Sequence, residues 1–269
     1  MEYRDYAIRA ARAGGDVIRE HLRDAHQVRA KAEFDFVTEV DALSEERIRA
    51  FLRESFPEHR FFGEESVSET PENETALLEA FRPDEYTWIV DALDGTTNFI
   101  RGIPQFCVSI ALARGKELIA GAVYDVSRDE MFSAEAGKGA FCNGRPIHVS
   151  QAETLGQSIV SFGFPAAERA KRASTLQALE RLSEEVGSVR IFNCAALLLC
   201  YAACGRTDAS FERGIHIWDM AAGIVLVREA GGTVTRCDGG PFDILSRENA
   251  VSNGRIHARL LEAIAPAMR

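Results

Sequence analysis

Residues 88–99 read Trp-Ile-Val-Asp-Ala-Leu-Asp-Gly-Thr-Thr-Asn-Phe, and this stretch decides the fold and the chemistry. The apolar run at its start predicts a buried strand, and Asp91 and Asp94 follow that run. Asp94 would cap a following helix, and Gly95, having no Cβ, would let the N–H groups of Gly95 and Thr96 approach an anion. The stretch predicts cation ligands beside an anion cradle. The alternative is an ordinary strand, an Asp-Gly turn and a helix cap.

Two further acidic segments help to decide between these interpretations. Glu64 and Glu65 follow the apolar pair Phe61-Phe62, so they also stand at a predicted strand end. Asp219 opens a helical pattern that extends to residue 230. Each has a simpler explanation alone, because the glutamates could be solvated charges and Asp219 could only cap its helix. Together the three segments favour a metal and phosphate site.

In this order, the three segments resemble the signatures of the inositol monophosphatase family, a branch of the magnesium-dependent, lithium-sensitive sugar phosphatases. Residues 63–66 match the first metal motif. Residues 91–99 match D-P-[ILM]-D-G-T-T-N-F with Ala92 in place of proline, and residues 218–232 match the second long signature. Weaker matches are Lys31 with residues 35–41, and residues 137–144. The resemblance therefore covers nearly the whole chain.

The resemblance implies an α+β fold, a layered αβαβα sandwich of the sugar phosphatase type. We expect one inositol monophosphatase-like domain over residues 1–269, with an N-terminal lobe of about 1–150, a C-terminal lobe of about 151–269 and the active site between them. The sequence pattern itself predicts alternating helices and strands without a repeat. The predicted helices are 3–23, 41–55, 74–81, 166–186, 195–204 and 219–230. The predicted strands are 107–113, 118–125, 130–134, 158–162, 188–192, 209–212 and 233–236.

Charge and cysteine usage exclude several classes of protein. The formal net charge of −10 would repel nucleic acid, and it would also repel anionic substrates unless cations are bound. No apolar run reaches the roughly 18 residues of a membrane span. The six cysteines include no C-x-x-C pair, and Cys200 and Cys204 stand one helical turn apart in an apolar stretch. We expect a cytoplasmic protein with reduced core cysteines and no membrane or nucleic-acid partner.

Phosphate ester hydrolysis explains why acidic side chains would be gathered at one site. Enzymes accelerate the slowest such reactions by up to about 10²¹-fold, whereas one general base contributes only about 10²–10⁴-fold. Carboxylates that crowd together without a cation would repel one another and a dianionic substrate. Mg²⁺ prefers oxygen ligands, and two such ions can activate water and stabilise a leaving alkoxide.

The family resemblance assigns metal roles to particular residues. One Mg²⁺ would be bound by Glu64, Asp91 and the Leu93 carbonyl. A second would be bound by Asp91, Asp94 and Asp219, and a third, weaker site would lie near Glu64. The catalytic set would be Glu64, Thr96 and Asp94, with Thr96 and Glu64 orienting the attacking water.

The substrate side follows from the same resemblance. The N–H groups of Gly95 and Thr96 would bind the phosphate. Glu65 and Lys31 would support the site. The substrate-binding residues would be Asp94, Ala195, Glu212 and Asp219.

Four residues near these positions have open roles. Asn193-Cys194 replaces the Gly-Ser or Gly-Thr that the family usually has before Ala195. Arg213 could be solvated, form a salt bridge across a dimer interface, or reshape the pocket rim. His216 could be structural or lie near the substrate.

The expected function is Mg²⁺-dependent hydrolysis of myo-inositol 1-phosphate, or a related polyol or sugar phosphate, by direct attack of an activated water. Histidinol phosphate and fructose 1,6-bisphosphate are alternative substrates within the superfamily. An alternative of another class is a non-catalytic dimeric binding or regulatory module. The resemblance also implies lithium sensitivity and a homodimer.

Overall fold

The computed structural model describes residues 2–22, 28–32, 35–67, 81–164 and 169–268. The helices are α1 Tyr3–Glu20, α2 Glu39–Ser55, α3 Glu64–Val67, α4 Thr96–Ile100, α5 Arg169–Ser183, α6 Ala195–Ala203, α7 Ile217–Glu229 and α8 His257–Met268, with a 3₁₀ turn at Leu155–Gln157. The strands are β1 Arg29–Ala32, β2 Asp35–Val37, β3 Arg60–Gly63, β4 Tyr86–Asp94, β5 Cys107–Arg114, β6 Glu117–Asp125, β7 Glu130–Glu135, β8 Ala140–Cys142, β9 Arg145–Ile147, β10 Ile159–Phe162, β11 Ser188–Arg190, β12 Ala209–Arg213, β13 Thr233–Thr235 and β14 Glu248–Ser252.

The larger sheet has seven strands in the order β3-β4-β5-β6-β7-β8-β9. Only β3 and β4 run parallel in it, and the later strands form an antiparallel meander. Strands β4, β5 and β6 are buried along most of their length because helices cover both faces of this sheet. This explains why they read as continuous apolar runs rather than as alternating patterns.

The smaller sheet has five strands in the order β11-β10-β12-β14-β13. Strand β10 runs parallel to both β11 and β12, whereas β14 is antiparallel to its two neighbours. A separate two-stranded hairpin pairs β1 with β2.

The layers follow the predicted αβαβα order. Helices α1 and α2 cover one face of the seven-stranded sheet, and α6 and α7 cover the other. Helix α6 also contacts β12 and β14 of the smaller sheet, whose opposite face is packed against α5 and α8. The contact between α7 and the larger sheet is close: a Cβ on Gly121 would lie 2.8 Å from the Ala222 carbonyl oxygen. The mixed α and β fold expected from the resemblance is confirmed.

Several predicted boundaries are wrong by a few residues. Helix α2 begins at Glu39 rather than 41, because Thr38 caps it and accepts a hydrogen bond from the Val40 N–H. Helix α7 begins at Ile217 rather than Asp219, and β11 ends at Arg190 rather than 192. The predicted helix 74–81 lies outside the described residues except for Phe81. Strands β8, β9 and β14 and helix α8 have no counterpart among the predicted elements.

No helix in the described part of the chain is both long and apolar enough to cross a membrane. All six cysteines are free. Cys200 is fully buried, as predicted, whereas Cys204 is partly exposed.

Candidate active site

The parallel pairing of β3 and β4 brings two acidic side chains to the same sheet edge. Gly63 pairs with Val90, so Glu64, directly after β3, and Asp91, inside β4, each follow the last pair of the parallel register. Ser66 secures this corner by donating a hydrogen bond to the Gly63 carbonyl, 3.1 Å away. The predicted strand end is therefore correct for Glu64 and wrong for Asp91, which lies inside β4.

Strand β4 continues through Asp94 by means of an irregularity between residues 91 and 94. The Leu93 N–H donates to Asp91 Oδ1 at 3.0 Å, and Ser44 Oγ donates to the Ala92 carbonyl at 3.0 Å. Gly95 then turns the chain with a φ of 92°, and a Cβ there would lie 2.7 Å from the Gln105 carbonyl oxygen. Glycine is required at this turn for both reasons.

Asp94 does not cap the helix that follows it, contrary to the prediction. The N-cap of α4 is Gly95, which has no side chain to contribute. The Asp94 carboxylate instead accepts hydrogen bonds from the Ala196 N–H at 2.7 Å and Cys194 Sγ at 3.2 Å. Asp94 thus caps α6, whose first N–H groups would otherwise lack partners.

Asp219 lies at the third position of α7, not at its N-cap, which is His216. Its Oδ2 accepts a hydrogen bond from the His216 N–H at 2.6 Å, as in a capping box. Ser109, the register partner of Asp91, donates to the Trp218 carbonyl at 3.2 Å. That bond holds the beginning of α7 against β4 and β5, and so holds Asp219 near Asp91.

Burial and mutual repulsion perturb this group of acids. Burial, followed by the charges of Glu64, Asp94 and Asp219, raises the pKa of Asp91 well above its ordinary range. Burial, followed by the charges of Asp94 and Glu64, likewise raises the pKa of Asp219 well above its usual value. Burial also raises the pKa of Asp94, although hydrogen bonds from α6 oppose that shift.

These acids fit a divalent cation. They are oxygen donors, Asp91 is buried while Glu64 and Asp219 are half-buried, and they destabilise one another's charged forms, which a bound cation would reverse. The residues that could hold metal are Glu64, Asp91, Asp94, Asp219 and the backbone carbonyl of Leu93.

The Thr96 hydroxyl lies 3.0 Å from Asp41 Oδ1 and 3.1 Å from the Leu93 carbonyl, and it can donate to either. Asp41 is 3% exposed, and its Oδ2 accepts bonds from the N–H and hydroxyl of Thr38. Asp41 is not among the predicted site residues, although residues 35–41 resemble the family pattern. That match is the sequence signal that could have identified Asp41 as a site residue.

Glu45 is a second residue that sequence reasoning missed. It is 3% exposed, and its Oε2 accepts a hydrogen bond from the Glu65 N–H at 2.8 Å. Arg49 pairs with its other oxygen. Glu45 therefore holds the backbone beside Glu64 in place. Lys31 belongs to β1, but its side chain lies outside the described residues.

Of the predicted substrate residues, Asp94 and Asp219 belong to the acidic group described above, and Ala195 and Glu212 lie on α6 and β12. Ala195 is the first residue of α6, and backbone N–H groups of both Ala195 and Ala196 point at Asp94. Glu212 is 3% exposed, and in the described part of the chain its Oε2 has no hydrogen-bond partner. Burial, followed by the charges of Asp94 and Asp219, raises the pKa of Glu212 well above its ordinary range. Glu212 is thus electrostatically coupled to the same acids.

The residues with open roles make structural contacts. Arg213 forms an ion pair with Glu248 of its own chain at 3.1 Å and donates to Ser174 Oγ at 2.9 Å. The His216 ring stacks on Trp218 with centroids 4.5 Å apart. The carbonyl of Asn193 accepts a hydrogen bond from Asn98, which also bonds the carbonyls of Gln105 and Phe192. Asn98 therefore ties the end of the metal motif to the segment before α6.

Known proteins resemble this chain over nearly their full length. The model of the inositol monophosphatase family matches residues 1–269. Inositol monophosphatase 1 of Solanum lycopersicum is 37% identical over 265 residues, which are 98% of this chain and 94% of that protein. The Nus factor SuhB of Pasteurella multocida is 37% identical over 264 residues, covering 97% and 95%. The structure of an inositol monophosphatase from Anabaena (Nostoc) sp. PCC 7120 matches with a TM-score of 0.82 at 35% identity, covering 98% and 95%.

Proposed function

Because this chain belongs to the inositol monophosphatase family and is a phosphatase, we propose that it hydrolyses myo-inositol 1-phosphate or a related polyol or sugar phosphate in a Mg²⁺-dependent reaction. The observation that carries this proposal is the coupling of Asp91, Asp94 and Asp219. Asp91 is buried, and the half-buried Asp219 comes from a distant part of the chain. The charges of Asp94 and Asp219 raise the pKa of Asp91, and the charge of Asp94 raises that of Asp219. A group that repels itself and a phosphate is useful for this chemistry only with cations bound.

The proposed metal ligands divide into two sets that share Asp91. Glu64, Asp91 and the Leu93 carbonyl would hold one Mg²⁺. Asp91, Asp94 and Asp219 would hold the other, and a third weak site would lie beside Glu64. When bound, Mg²⁺ activates the attacking water and stabilises charge on the leaving oxygen. Family membership also suggests inhibition by Li⁺.

Thr96 and Asp41 are the proposed path for the proton. If Thr96 donates its hydroxyl proton to Asp41, its oxygen is left to accept a hydrogen bond from the attacking water. As the water attacks phosphorus, its proton passes to Thr96 and the threonine proton passes to Asp41. Glu64 orients the same water from the β3 edge. The products are the free alcohol and inorganic phosphate.

The substrate would be bound at its phosphate by the turn after β4 and at its alcohol by residues of α6 and β12. The N–H groups of Gly95 and Thr96 would donate hydrogen bonds to the phosphate oxygens at the turn that Gly95 makes possible. Glu212 would bind a hydroxyl of the alcohol. Its buried Oε2 has no hydrogen-bond partner among the described residues, and leaving it unpaired costs free energy that a substrate hydroxyl would recover. Ala195 would contact the alcohol at the start of α6. Glu65 and Lys31 would support the metal side.

Phosphate release from a panel of esters tests the activity and ranks the substrates. The panel contains myo-inositol 1-phosphate, histidinol phosphate and fructose 1,6-bisphosphate, with Mg²⁺ and with excess chelator. We expect turnover with Mg²⁺ only, inhibition by Ca²⁺, and the highest kcat/KM on the inositol ester. Full turnover in chelator would contradict the proposed metal chemistry. A higher kcat/KM on another ester would change the substrate but keep the reaction.

The name of the Pasteurella relative, a Nus factor, supports a second candidate function. On that alternative, the chain is a dimeric binding or regulatory module that keeps the fold without turnover. The same panel separates the two, since a pure binding module would release no phosphate from any ester in Mg²⁺.

We also propose that the chain is one domain of two lobes that forms a homodimer. Ile103 and Ile191 are 49% and 52% exposed, and a partner subunit would remove this apolar surface from water. Their segments are neighbours, because Asn98 bonds both Gln105 and Phe192. Light scattering during size-exclusion chromatography would measure the mass of the particle and so the number of subunits.

The six free cysteines favour the cytoplasm, where thiols stay reduced.

A further inference from the structure

Two cysteine thiols lie against the side of Asp94 that faces α6. Cys107 is at the start of β5 and Cys194 directly precedes α6, and both are buried. The two Sγ atoms are 3.6 Å apart. Asp94 Oδ2 lies 3.2 Å from Cys194 Sγ and 3.9 Å from Cys107 Sγ. The three side chains form a compact group, with their ligand atoms all within 4.8 Å of one another.

The triangle has the dimensions of one face of a tetrahedral zinc site. With Zn–S bonds of about 2.3 Å and Zn–O bonds of about 2.0–2.2 Å, tetrahedral ligands are separated by about 3.8 Å for two sulfurs and about 3.5 Å for sulfur and oxygen. The three observed distances lie within a few tenths of an ångström of these values. Small side-chain movements would therefore bring the two sulfurs and the Asp94 oxygen to the spacing of zinc ligands.

The donors have a different chemistry from the carboxylate group. Mg²⁺ requires oxygen ligands, whereas thiolates select soft ions such as Zn²⁺ and Cd²⁺. Asp94 belongs to both groups, because one side of its carboxylate faces the thiols and its charge acts on Asp91 and Asp219. An ion bound to the thiols would thus compete with Mg²⁺ for this carboxylate.

We propose that Cys107, Cys194 and Asp94 form an inhibitory site for a thiophilic divalent cation, Zn²⁺ or Cd²⁺. Inhibition rests on the proposed function, since it requires Asp94 to act in the Mg²⁺ site. Binding does not. Two thiol protons pass to solvent as two metal–sulfur bonds form, and the Ala196 N–H remains on Asp94. The fourth metal position is left to water.

The test is titration of the full-length, Mg²⁺-free protein with Cd²⁺. Binding is followed by the ultraviolet charge-transfer absorption of cadmium thiolates. We expect a band of the intensity of two thiolates per bound ion. Cd²⁺ held only by carboxylates gives no such band, so binding without it would overturn the site. Cadmium-113 NMR of the wild type gives the same distinction without any variant.

Cys194→Ser and Cys107→Ser test the assignment, with Cys200→Ser as the matched control. Cys200 is also buried on α6 but is not one of the three ligands. Each ligand variant should weaken Cd²⁺ binding by at least ~10-fold and reduce the band, whereas the control should keep both. An equal loss in the control would contradict the assignment.

Phosphatase assays then measure inhibition by Zn²⁺, with each variant compared with its own rate without Zn²⁺. The half-inhibitory Zn²⁺ concentration should rise by at least ~10-fold in Cys194→Ser, and excess Mg²⁺ should relieve inhibition of the wild type. A cadmium band in a protein without activity would contradict the proposed function but keep this site. Phosphatase activity without the cadmium band would contradict this site but keep the proposed function.

Discussion

Asp94, the last residue of β4, joins two regions that are built in different ways: the metal side, formed by Glu64, Asp91, Asp94 and Asp219, and the substrate side at the beginning of α6. On the metal side, neighbours in sequence arrange the acids: the Leu93 N–H donates to Asp91 in β4, and the His216 N–H donates to Asp219 in α7. At α6, the bonds connect distant segments, as when Ala196 bonds Asp94 across 102 positions. The metal side is therefore held largely by its own motifs, whereas the substrate side depends on how the two large sheets meet.

The largest expected effect is that of Asp91→Asn, which tests the metal side where both sets of ligands meet. Asparagine keeps an oxygen for the Leu93 N–H but removes the shared negative charge. We expect kcat/KM to fall by about 10³-fold at saturating Mg²⁺. The metal-free protein should unfold at the same temperature or higher, because a repelling buried charge is gone. Activity near that of the wild type would exclude Asp91 as the shared ligand.

Asp219→Asn tests whether α7 contributes to the metal side or is only capped by this residue. Asparagine can still accept the His216 N–H bond, so folding should survive. Loss of the charge should reduce kcat/KM by at least ~10²-fold. Kinetics are measured alongside thermal unfolding of the metal-free protein. Unchanged activity would make Asp219 a structural residue.

The difference between the two regions also explains what sequence reasoning could find. Glu64 and Asp91 are predictable because each follows an apolar run in the sequence, and the parallel register ends at the pair Gly63 and Val90 just before them. The partnership of Thr96 with Asp41 spans 55 positions, and no local pattern encodes it. The same holds for Asp94, whose predicted role as a local cap is wrong because α6 supplies better donors.

Elements whose pairing is distant were also missed. Strand β14 is held between β12 and β13, so its neighbours rather than its own sequence define it. Helix α8 contains Pro266, which disfavours a helical prediction, yet its apolar residues pack on α5. Tertiary packing forms both elements.

A smaller effect is expected on the substrate side from Glu212→Gln. Glutamine keeps the size and one acceptor, so Mg²⁺ binding and folding should be preserved. We expect a rise in KM of about 10-fold for myo-inositol 1-phosphate, corresponding to loss of one charged hydrogen bond. The ratio of kcat/KM among the esters should change. Arg213→Ala is the control, because Arg213 is paired with Glu248. A uniform loss of kcat with every ester would mean that Glu212 acts with the metal ligands and not on the alcohol of the substrate.

The smallest effect is a pH dependence of stability in the metal-free protein. Asp91, Asp219 and Glu212 have a raised pKa in the folded state, owing first to burial. In the unfolded chain they titrate near pH 4. The folded protein thus binds more protons above that pH, so its free energy of unfolding is highest below it and falls as pH rises toward the raised values. Mg²⁺ binds the deprotonated acids, so the gain in Tm from Mg²⁺ should increase with pH.

Comparison with Asp91→Asn isolates this contribution from that of the histidines. Burial lowers the pKa of His59 and His257, which makes stability rise with pH up to their ordinary value and so opposes the acids. The histidine contribution is the same in both proteins and cancels in the difference. The difference in Tm between variant and wild type, measured without metal, should grow in favour of the variant from about pH 4 upward. A constant difference across that range would mean that Asp91 is charged in the metal-free protein and that the acids do not repel one another as the structure indicates.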